Sequence, residues 1–206
     1  VLNRKIKTYY LSRGFFEDEL LMTGNTYGNL RGGPFHVIGH KPYVAQQVPV
    51  FIVGSGPSLD AALPQIARWA DRVVIISCGS SLGILLRHGI RPHLHIENEN
   101  TEPLVKNLRD FKDAYGLEGI TLVASTSVRP EAGALFDRRW FYFRTHLSST
   151  AIFNRGLRPL PGAAPLVANA AFAVAAATGF RDVYLFGVDC GRRPEDGHHA
   201  GDAIYY

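Results

Sequence analysis

The chain has 206 residues, 46% hydrophobic and 19% charged, the balance of an ordinary globular protein with room for a sizeable core. No apolar run approaches the roughly 20 residues that span a bilayer, so no membrane partner is predicted. The net charge of +4, without a basic block, favours a small anionic ligand over a nucleic acid. Cys78 and Cys190 are far apart along the chain, and we expect two reduced thiols of a cytoplasmic protein.

The N-terminal stretch, residues 1–48, mixes aromatic residues, glycines and single charges without a sustained hydrophobic period. We expect short helix and loop there, as an N-terminal extension or part of a flanking subdomain. From residue 49 strands and helices alternate, which predicts a second unit over residues 49–206. The chain has no initiator methionine and stops just after a polar loop, so we expect a piece of a longer protein.

The elements of the second unit alternate in type along the chain. Apolar runs predict strands at residues 48–54, 72–79, 92–98, 119–126, 139–144 and 182–189. Periodic or alanine-rich runs predict helices at residues 59–71, 81–89, 101–116 and 165–179. Gly89 and Gly116 mark two helix ends, and Pro64 lies in a first turn or at a kink. This alternation predicts an α/β fold: a Rossmann-like, mostly parallel sheet with helices on both faces.

The turn after the first strand of this unit, GSGPS at residues 54–58, has the composition of a phosphate-binding turn. Gly54 and Gly56 let the backbone bend sharply and approach a ligand closely. Ser58 is a natural N-cap, and the amides that follow would stabilise an anion by roughly 0.3–1 kcal/mol. Leu59 occupies the place of the third glycine of a dinucleotide fingerprint, and no Walker loop is present. A plain turn without a ligand is the alternative.

Histidines and glutamates alternate in the segment HLHIENE, so that His93, His95, Glu97 and Glu99 share one face of an extended chain. The glutamates lie just past a strand, where acidic residues contact ribose hydroxyls or a metal ion. His and Glu in alternation without a third fixed ligand are a weak metal signal, and metal binding is left open. The alternative is a polar strand end followed by a solvated loop.

Polar residues also mark the last helix and the segment after the last strand. Asn169 lies within the apolar helix predicted at 165–179, so we expect a structural hydrogen-bond partner or a ligand. Asp189 directly follows the last strand, and His198 and His199 lie in the Gly- and Asp-rich loop beyond it. One of these histidines is a reasonable general acid or base, and paired surface histidines without chemistry are the alternative.

Four segments, in order, carry a family resemblance: VFIVGSGPSLD, VVIISCGSSLGILLRHGIRPHLHIENEN, VANAAFAVAAATGFRDVYLFGVDCG and GHHAGDAIYY. They resemble the motility-associated factor (Maf) flagellin glycosyltransferases and their Maf-like, DUF115-type central domain, over about residues 15–206. The resemblance implies a Rossmann-like domain related to bacterial sialyltransferases that use CMP-activated sugars. Their Gly-x-Gly-Pro-Ser-Leu turn meets the nucleotide phosphate. Its counterparts here are Gly54, Gly56, Pro57, Ser58 and Leu59, with Ser55 at the variable position.

The resemblance also implies a reaction and its partners. Family members work in the bacterial cytoplasm and transfer a nonulosonic acid of the pseudaminic, legionaminic or sialic type to Ser or Thr of flagellin. The implied partners are thus a CMP-activated nonulosonic acid and flagellin, with no nucleic acid, no membrane and no required cofactor. The turn at 54–58 would hold phosphate, and Glu97, Glu99 and Asn169 would hold ribose or base. His199 or His198, with Asp189, would serve an inverting displacement.

Two other functions stay open. A distant branch of Maf-like proteins is similar to archaeal 6-hydroxymethylpterin pyrophosphokinase, which transfers diphosphate from ATP with Mg²⁺ held by acidic residues. The segments HIENEN and GHHAGDAIYY resemble the flagellar branch more closely. The third possibility is a module that binds a sugar nucleotide or flagellin without turning it over.

Overall fold

The structure is a computed structural model, and it describes residues 16–39, 43–191 and 198–203. Its strands are β1 His36–Val37, β2 Val50–Val53, β3 Val74–Cys78, β4 Leu94–Glu97, β5 Thr121–Ser125, β6 Arg138–Tyr142 and β7 Val183–Phe186. They form one seven-stranded sheet in the order β1-β6-β5-β4-β3-β2-β7. Every neighbouring pair is parallel, so all the strands end at the same edge.

Seven α-helices accompany the sheet in the described ranges: α1 Phe16–Arg31, α2 Leu59–Trp69, α3 Ser81–Arg87, α4 Glu102–Tyr115, α5 Pro130–Gly133, α6 Ser148–Phe153 and α7 Val167–Ala177. Gly89, with φ of +69°, follows α3, and Gly116 is the C-cap of α4, as the sequence predicts. Pro64 lies inside α2 rather than in its first turn. Within the described residues no helix has the length and apolar character needed to cross a bilayer.

Side chains of the central strands point alternately to two apolar layers. Ile52 of β2 packs in one layer with Val174 of α7. The next residue, Val53, packs in the opposite layer with Leu63 of α2. Helices α3 and α4 cover the same face as α2, through residues such as Leu82 and Phe111. The prediction of an α/β, Rossmann-like parallel sheet with helices on both faces is therefore confirmed.

In the described part of the N-terminal stretch, residues 16–39 and 43–48, the structure has a 16-residue helix, the edge strand β1 and loop, where short helix and loop were predicted. Helix α1 docks through polar side chains: the Asn25 amide donates to the Ser127 carbonyl at 3.1 Å. The Asn29 amide donates to the carbonyls of Thr126 at 2.9 Å and Val128 at 2.7 Å. Because the buried face is polar, the helix has no hydrophobic period for sequence analysis to detect.

Candidate functional site

A cleft of about 940 Å³ opens where the parallel strands end. Strands β3 to β6 lie in chain order on one side of β2, and β7 lies on its other side. The direction in which successive strands are added to the sheet therefore reverses between β2 and β7. Such a reversal is the usual place for a ligand crevice in an open α/β sheet. Among the residues predicted from sequence, those lining the cleft are Gly54, Ser55, Gly56, His95, Glu97, Glu99, Asp189, His198 and His199.

Two glycines allow the ends of β2 and β7 to touch. A Cβ atom on Gly54 would lie 2.4 Å from the Gly187 carbonyl oxygen, and one on Gly187 would lie 2.5 Å from the Gly54 oxygen. Gly187 has a φ of +62°, in the region that favours glycine. The Gly56 amide donates to the Gly187 carbonyl at 2.8 Å. The glycines of the predicted phosphate turn are therefore required by the neighbouring strand, whether or not a ligand binds.

A carboxylate of the protein occupies the start of α2, where the phosphate was expected. The backbone amide of Ser58 donates to Oδ2 of Asp189 at 3.0 Å, and the Ser58 side chain makes no capping hydrogen bond. A Cβ on Gly56 would lie 2.2 Å from the same Oδ2 atom. Pro57 and Ser58 do not line the cleft. The part of the turn that faces the cleft is thus Gly54–Gly56.

Paired serine hydroxyls lie beside that part of the turn. The Ser80 hydroxyl donates to Oγ of Ser55 at 2.9 Å, and both residues line the cleft. The Ser81 hydroxyl accepts from the Cys78 amide at 2.9 Å and donates to the Val53 carbonyl at 2.6 Å, which ties α3 to the ends of two strands. Sequence analysis missed Ser80. Its signal was a Gly-Ser pair after the second strand, matching the Gly-Ser pair after the first.

The end of β4 holds a buried histidine and a buried glutamate. Oε1 of Glu97 accepts from the backbone amides of Asn98 at 2.7 Å and Glu99 at 2.9 Å. Burial, with a smaller effect of the Glu99 charge, raises the pKa of Glu97 to about 7. Burial lowers the pKa of His95 to about 4, so this ring is neutral near pH 7. Glu97 therefore changes its ionisation close to physiological pH.

Asn98 and Tyr142 form a polar contact that sequence analysis missed. The Tyr142 hydroxyl donates to Oδ1 of Asn98 at 2.6 Å. Asn98 lines the cleft and is 8% exposed, and its Nδ2 atom has no hydrogen-bond partner among the described residues. By contrast, His93 lies outside the cleft, where its Nδ1 accepts from the Ile75 amide at 3.1 Å. Of the alternating row, only His95, Glu97 and Glu99 reach the cleft.

Asn169 has the structural partner that the sequence left as one alternative. Its Oδ1 accepts from the Leu166 amide at 3.1 Å, at the start of α7, and its side chain is exposed. It lines a different hollow of about 690 Å³, together with apolar residues such as Phe172 and Leu185. The structure therefore does not bring Asn169 together with the glutamates of the cleft.

The two histidines are held at the rim of the cleft by backbone hydrogen bonds. The Ala200 amide donates to the Ser55 carbonyl at 2.9 Å, and the Gly201 amide donates to Oδ2 of Asp60 at 2.9 Å. The rings of His198 and His199 lie 6.2 Å apart between centroids. Partial burial, and then the charge of His198, lower the pKa of His199. The His199 ring is therefore mainly neutral at pH 7.

The described acidic and histidine residues of the cleft are not grouped as a metal centre. Within residues 16–39, 43–191 and 198–203, no three His, Cys, Asp or Glu residues come together as a set that could hold a metal ion. Glu97 accepts backbone amides through Oε1, and Asp189 accepts the Ser58 amide through Oδ2. One oxygen of each of these two carboxylates is thus used to bind backbone amides of the protein.

Comparison with known proteins assigns the chain to a family. Residues 22–195 match the family model described as 6-hydroxymethylpterin diphosphokinase MptE-like. Among solved structures, the chain is similar to a Maf glycosyltransferase from Magnetospirillum magneticum AMB-1, with 39% identity and a TM-score of 0.82. The match covers 93% of this chain and 30% of that one, and no curated protein matches. The resemblance to Maf-like proteins is confirmed, and the chain belongs to the MptE-like family.

Proposed function

We propose that the cleft binds a CMP-activated nonulosonic acid and that the chain is the nucleotide-sugar-binding part of a glycosyltransferase acting on Ser or Thr of flagellin in the cytoplasm. One observation carries the proposal: the turn at 54–56, the glutamates at the end of β4 and the histidine pair converge on one cleft. The sequence of the chain that forms this cleft is 39% identical to that of a Maf glycosyltransferase. Since the chain spans only 30% of that relative, contacts with flagellin would extend beyond it.

The proposed position of the nucleotide follows from the polar groups of the cleft. The phosphate would lie against Gly54 and the hydroxyls of Ser55 and Ser80, because the Asp189 carboxylate occupies the Ser58 amide and lies against Gly56. A second anion beside that carboxylate would be repelled. Glu97 and Glu99 line the same cleft and would hold ribose or base.

The proposed chemistry is a single inverting displacement. His199, or its neighbour His198, takes the proton of the acceptor hydroxyl as its oxygen bonds to the anomeric carbon. The bond from that carbon to the phosphate oxygen breaks, and CMP leaves with the electron pair. The hydroxyls of Ser55 and Ser80 at the strand ends would stabilise the leaving phosphate, and no metal is proposed for the step.

Sugar transfer tests this proposal. The chain is incubated with CMP-pseudaminic acid and flagellin, and CMP release and glycosylated flagellin are measured. The double variant His198→Ala/His199→Ala should lose roughly 10²–10⁴ in rate. His36→Ala, at the distant edge strand β1, should keep the wild-type rate. CMP-sugar binding by the wild-type chain with neither transfer to flagellin nor hydrolysis of the CMP-sugar would indicate a binding module instead.

A second candidate rests on the description of the matching family, 6-hydroxymethylpterin diphosphokinase MptE-like. Such an enzyme would move diphosphate from ATP to the hydroxymethyl group of a pterin, and acidic residues of the chain would hold the Mg²⁺ that neutralises the phosphate charge. AMP formation that requires both Mg²⁺ and the pterin, with no turnover of a CMP-sugar, would favour this function.

A further inference from the structure

Asn98 lines the cleft, and one polar atom of its side chain has no partner among the described residues. Its Oδ1 accepts the Tyr142 hydroxyl at 2.6 Å, and burial raises the pKa of that hydroxyl, which stays protonated and donates. The amide is thereby oriented, and Nδ2 is the atom left for a ligand. Nδ2 is buried, has no partner in the described residues, and belongs to a side chain that lines the cleft. A buried donor without an acceptor is unfavourable until a ligand supplies one.

Glu97, the preceding residue, presents the complementary group. Two backbone amides hold its Oε1, so Oε2 is the atom available to a ligand. Oε2 lies 3.8 Å from Nε2 of His95, beyond hydrogen-bond distance. Neighbouring residues thus present an acceptor and a donor to the same cleft. Apolar side chains that suit the face of a flat ring also line it, namely Leu104, Leu108, Phe111 and Val167.

We propose that Glu97 and Asn98 recognise the ring edge of cytosine. Oε2 of Glu97 accepts from the exocyclic amino group, and Nδ2 of Asn98 donates to the adjacent ring nitrogen and carbonyl oxygen. This inference rests on the proposed function, which supplies CMP as the nucleotide. Uracil in the same pose would set O4 against the carboxylate and N3–H against the amide hydrogens, so both contacts would be repulsive. Tyr142 is a positioning residue, because it acts through Asn98.

A charge-conserving exchange tests the assignment. The chain is titrated with CMP and UMP at pH 8, where Glu97 is mainly ionised. The wild type should prefer CMP by about tenfold or more. In Glu97→Gln/Asn98→Asp the backbone amides still select an oxygen at Oε1 and the Tyr142 hydroxyl still donates to residue 98. A donor and an acceptor therefore change places, and the preference should reverse towards UMP.

Two single variants complete the experiment. Tyr142→Phe should weaken CMP binding and reduce the preference over UMP, although the hydroxyl that it removes does not touch the nucleotide. Asn154→Asp makes the same chemical change as Asn98→Asp at a turn outside the cleft, and it should leave both affinities unchanged.

The outcomes separate this inference from the function on which it rests. If the wild type binds CMP but does not distinguish it from UMP, the base assignment is overturned and the proposed function stands. A folded double variant that still prefers CMP also overturns the base assignment and leaves the proposed function in place. If the double variant does not fold, an unchanged preference in both Tyr142→Phe and Glu97→Gln overturns the assignment. Failure of the wild type to bind CMP at all removes the proposed function and this inference together.

Discussion

Glu97 and His95 illustrate how one strand end sets two ionisation states. Both side chains are buried beside the cleft, and burial favours the neutral form of each. For the carboxyl group this raises the pKa to about 7, and for the imidazole it lowers the pKa to about 4. A glutamate that ionises near neutrality can donate a hydrogen bond to a ligand when it is protonated and accept one when it is ionised. The apolar side chains around it can do neither.

These shifts predict how stability depends on pH. The folded state holds an extra proton on Glu97 between pH 4.5 and about 7, so the free energy of unfolding falls as pH rises there. Between about pH 4 and 6.5 the folded state lacks a proton that the unfolded state carries on His95. In this range the free energy of unfolding therefore rises as the pH rises. In the wild type, the contributions of Glu97 and His95 to the pH dependence of the unfolding free energy therefore oppose each other. In Glu97→Gln only the histidine slope remains, and stability should rise more steeply between pH 4 and 6.5.

Urea denaturation at half-unit pH steps measures this difference. Glu102→Gln, at an exposed position in the first turn of α4, is the control and should follow the wild-type profile. A Glu97→Gln profile parallel to the wild type would mean that Glu97 does not keep its proton in the folded protein.

Residues in the cleft were predictable only where a motif marked them. The glycine turn, the alternating histidines and glutamates, and the histidine pair stand at the ends of predicted strands, where a parallel sheet gathers ligand-binding groups. Asn98 was not predicted, because its role depends on Tyr142, which lies 44 residues away in the sequence. The hydrogen bond from the Ser58 amide to Asp189 was not predicted for a similar reason: the two residues lie 131 positions apart.

Among the elements, the contact of β2 with β7 defines the cleft. The strands pair in parallel, and the glycines that follow them pack backbone against backbone. The amide of Gly54 continues the ladder by donating to the Phe186 carbonyl at 2.8 Å. A side chain on either glycine would force the strand ends apart and move the turn at 54–56 relative to Asp189.

A single methyl group tests this packing. Gly54→Ala would place Cβ 2.4 Å from the Gly187 carbonyl oxygen, and such overpacking should cost about 1–3 kcal/mol of unfolding free energy. Gly24→Ala is the matched control, because a Cβ on Gly24, inside α1, meets nothing within 4 Å. There the better helix propensity of alanine should stabilise the protein by up to about 1 kcal/mol. Equal effects of the two substitutions on thermal unfolding would contradict the close packing of β2 and β7.

Helices and strands with an apolar pattern were predictable from the sequence. A helix with a polar buried face and a strand of two residues were not. The six longer strands and the helices α2, α3, α4 and α7 follow from hydrophobic runs that bury in the two layers of the sheet. Helix α1 carries Gly24 and Gly28 and docks through asparagine amides, so neither propensity nor periodicity revealed it. The two-residue strand β1 is defined only by its pairing with β6.

In the whole molecule, the carboxyl edge of the sheet combines a nucleotide-sized cleft with a histidine pair fixed at its rim. The second hollow, beside α7 and β7, is lined by apolar residues and lacks the glutamates and histidines of the cleft. We therefore propose that the nucleotide binds in the cleft and not in this hollow.

A crystal structure of the chain with bound CMP tests this assignment most directly. We predict electron density for CMP in the cleft, with the phosphate against Ser55 and Ser80 and the base beside Glu97 and Asn98. Density for the nucleotide in the hollow at Phe172, or a cleft that stays empty at saturating CMP, would contradict it.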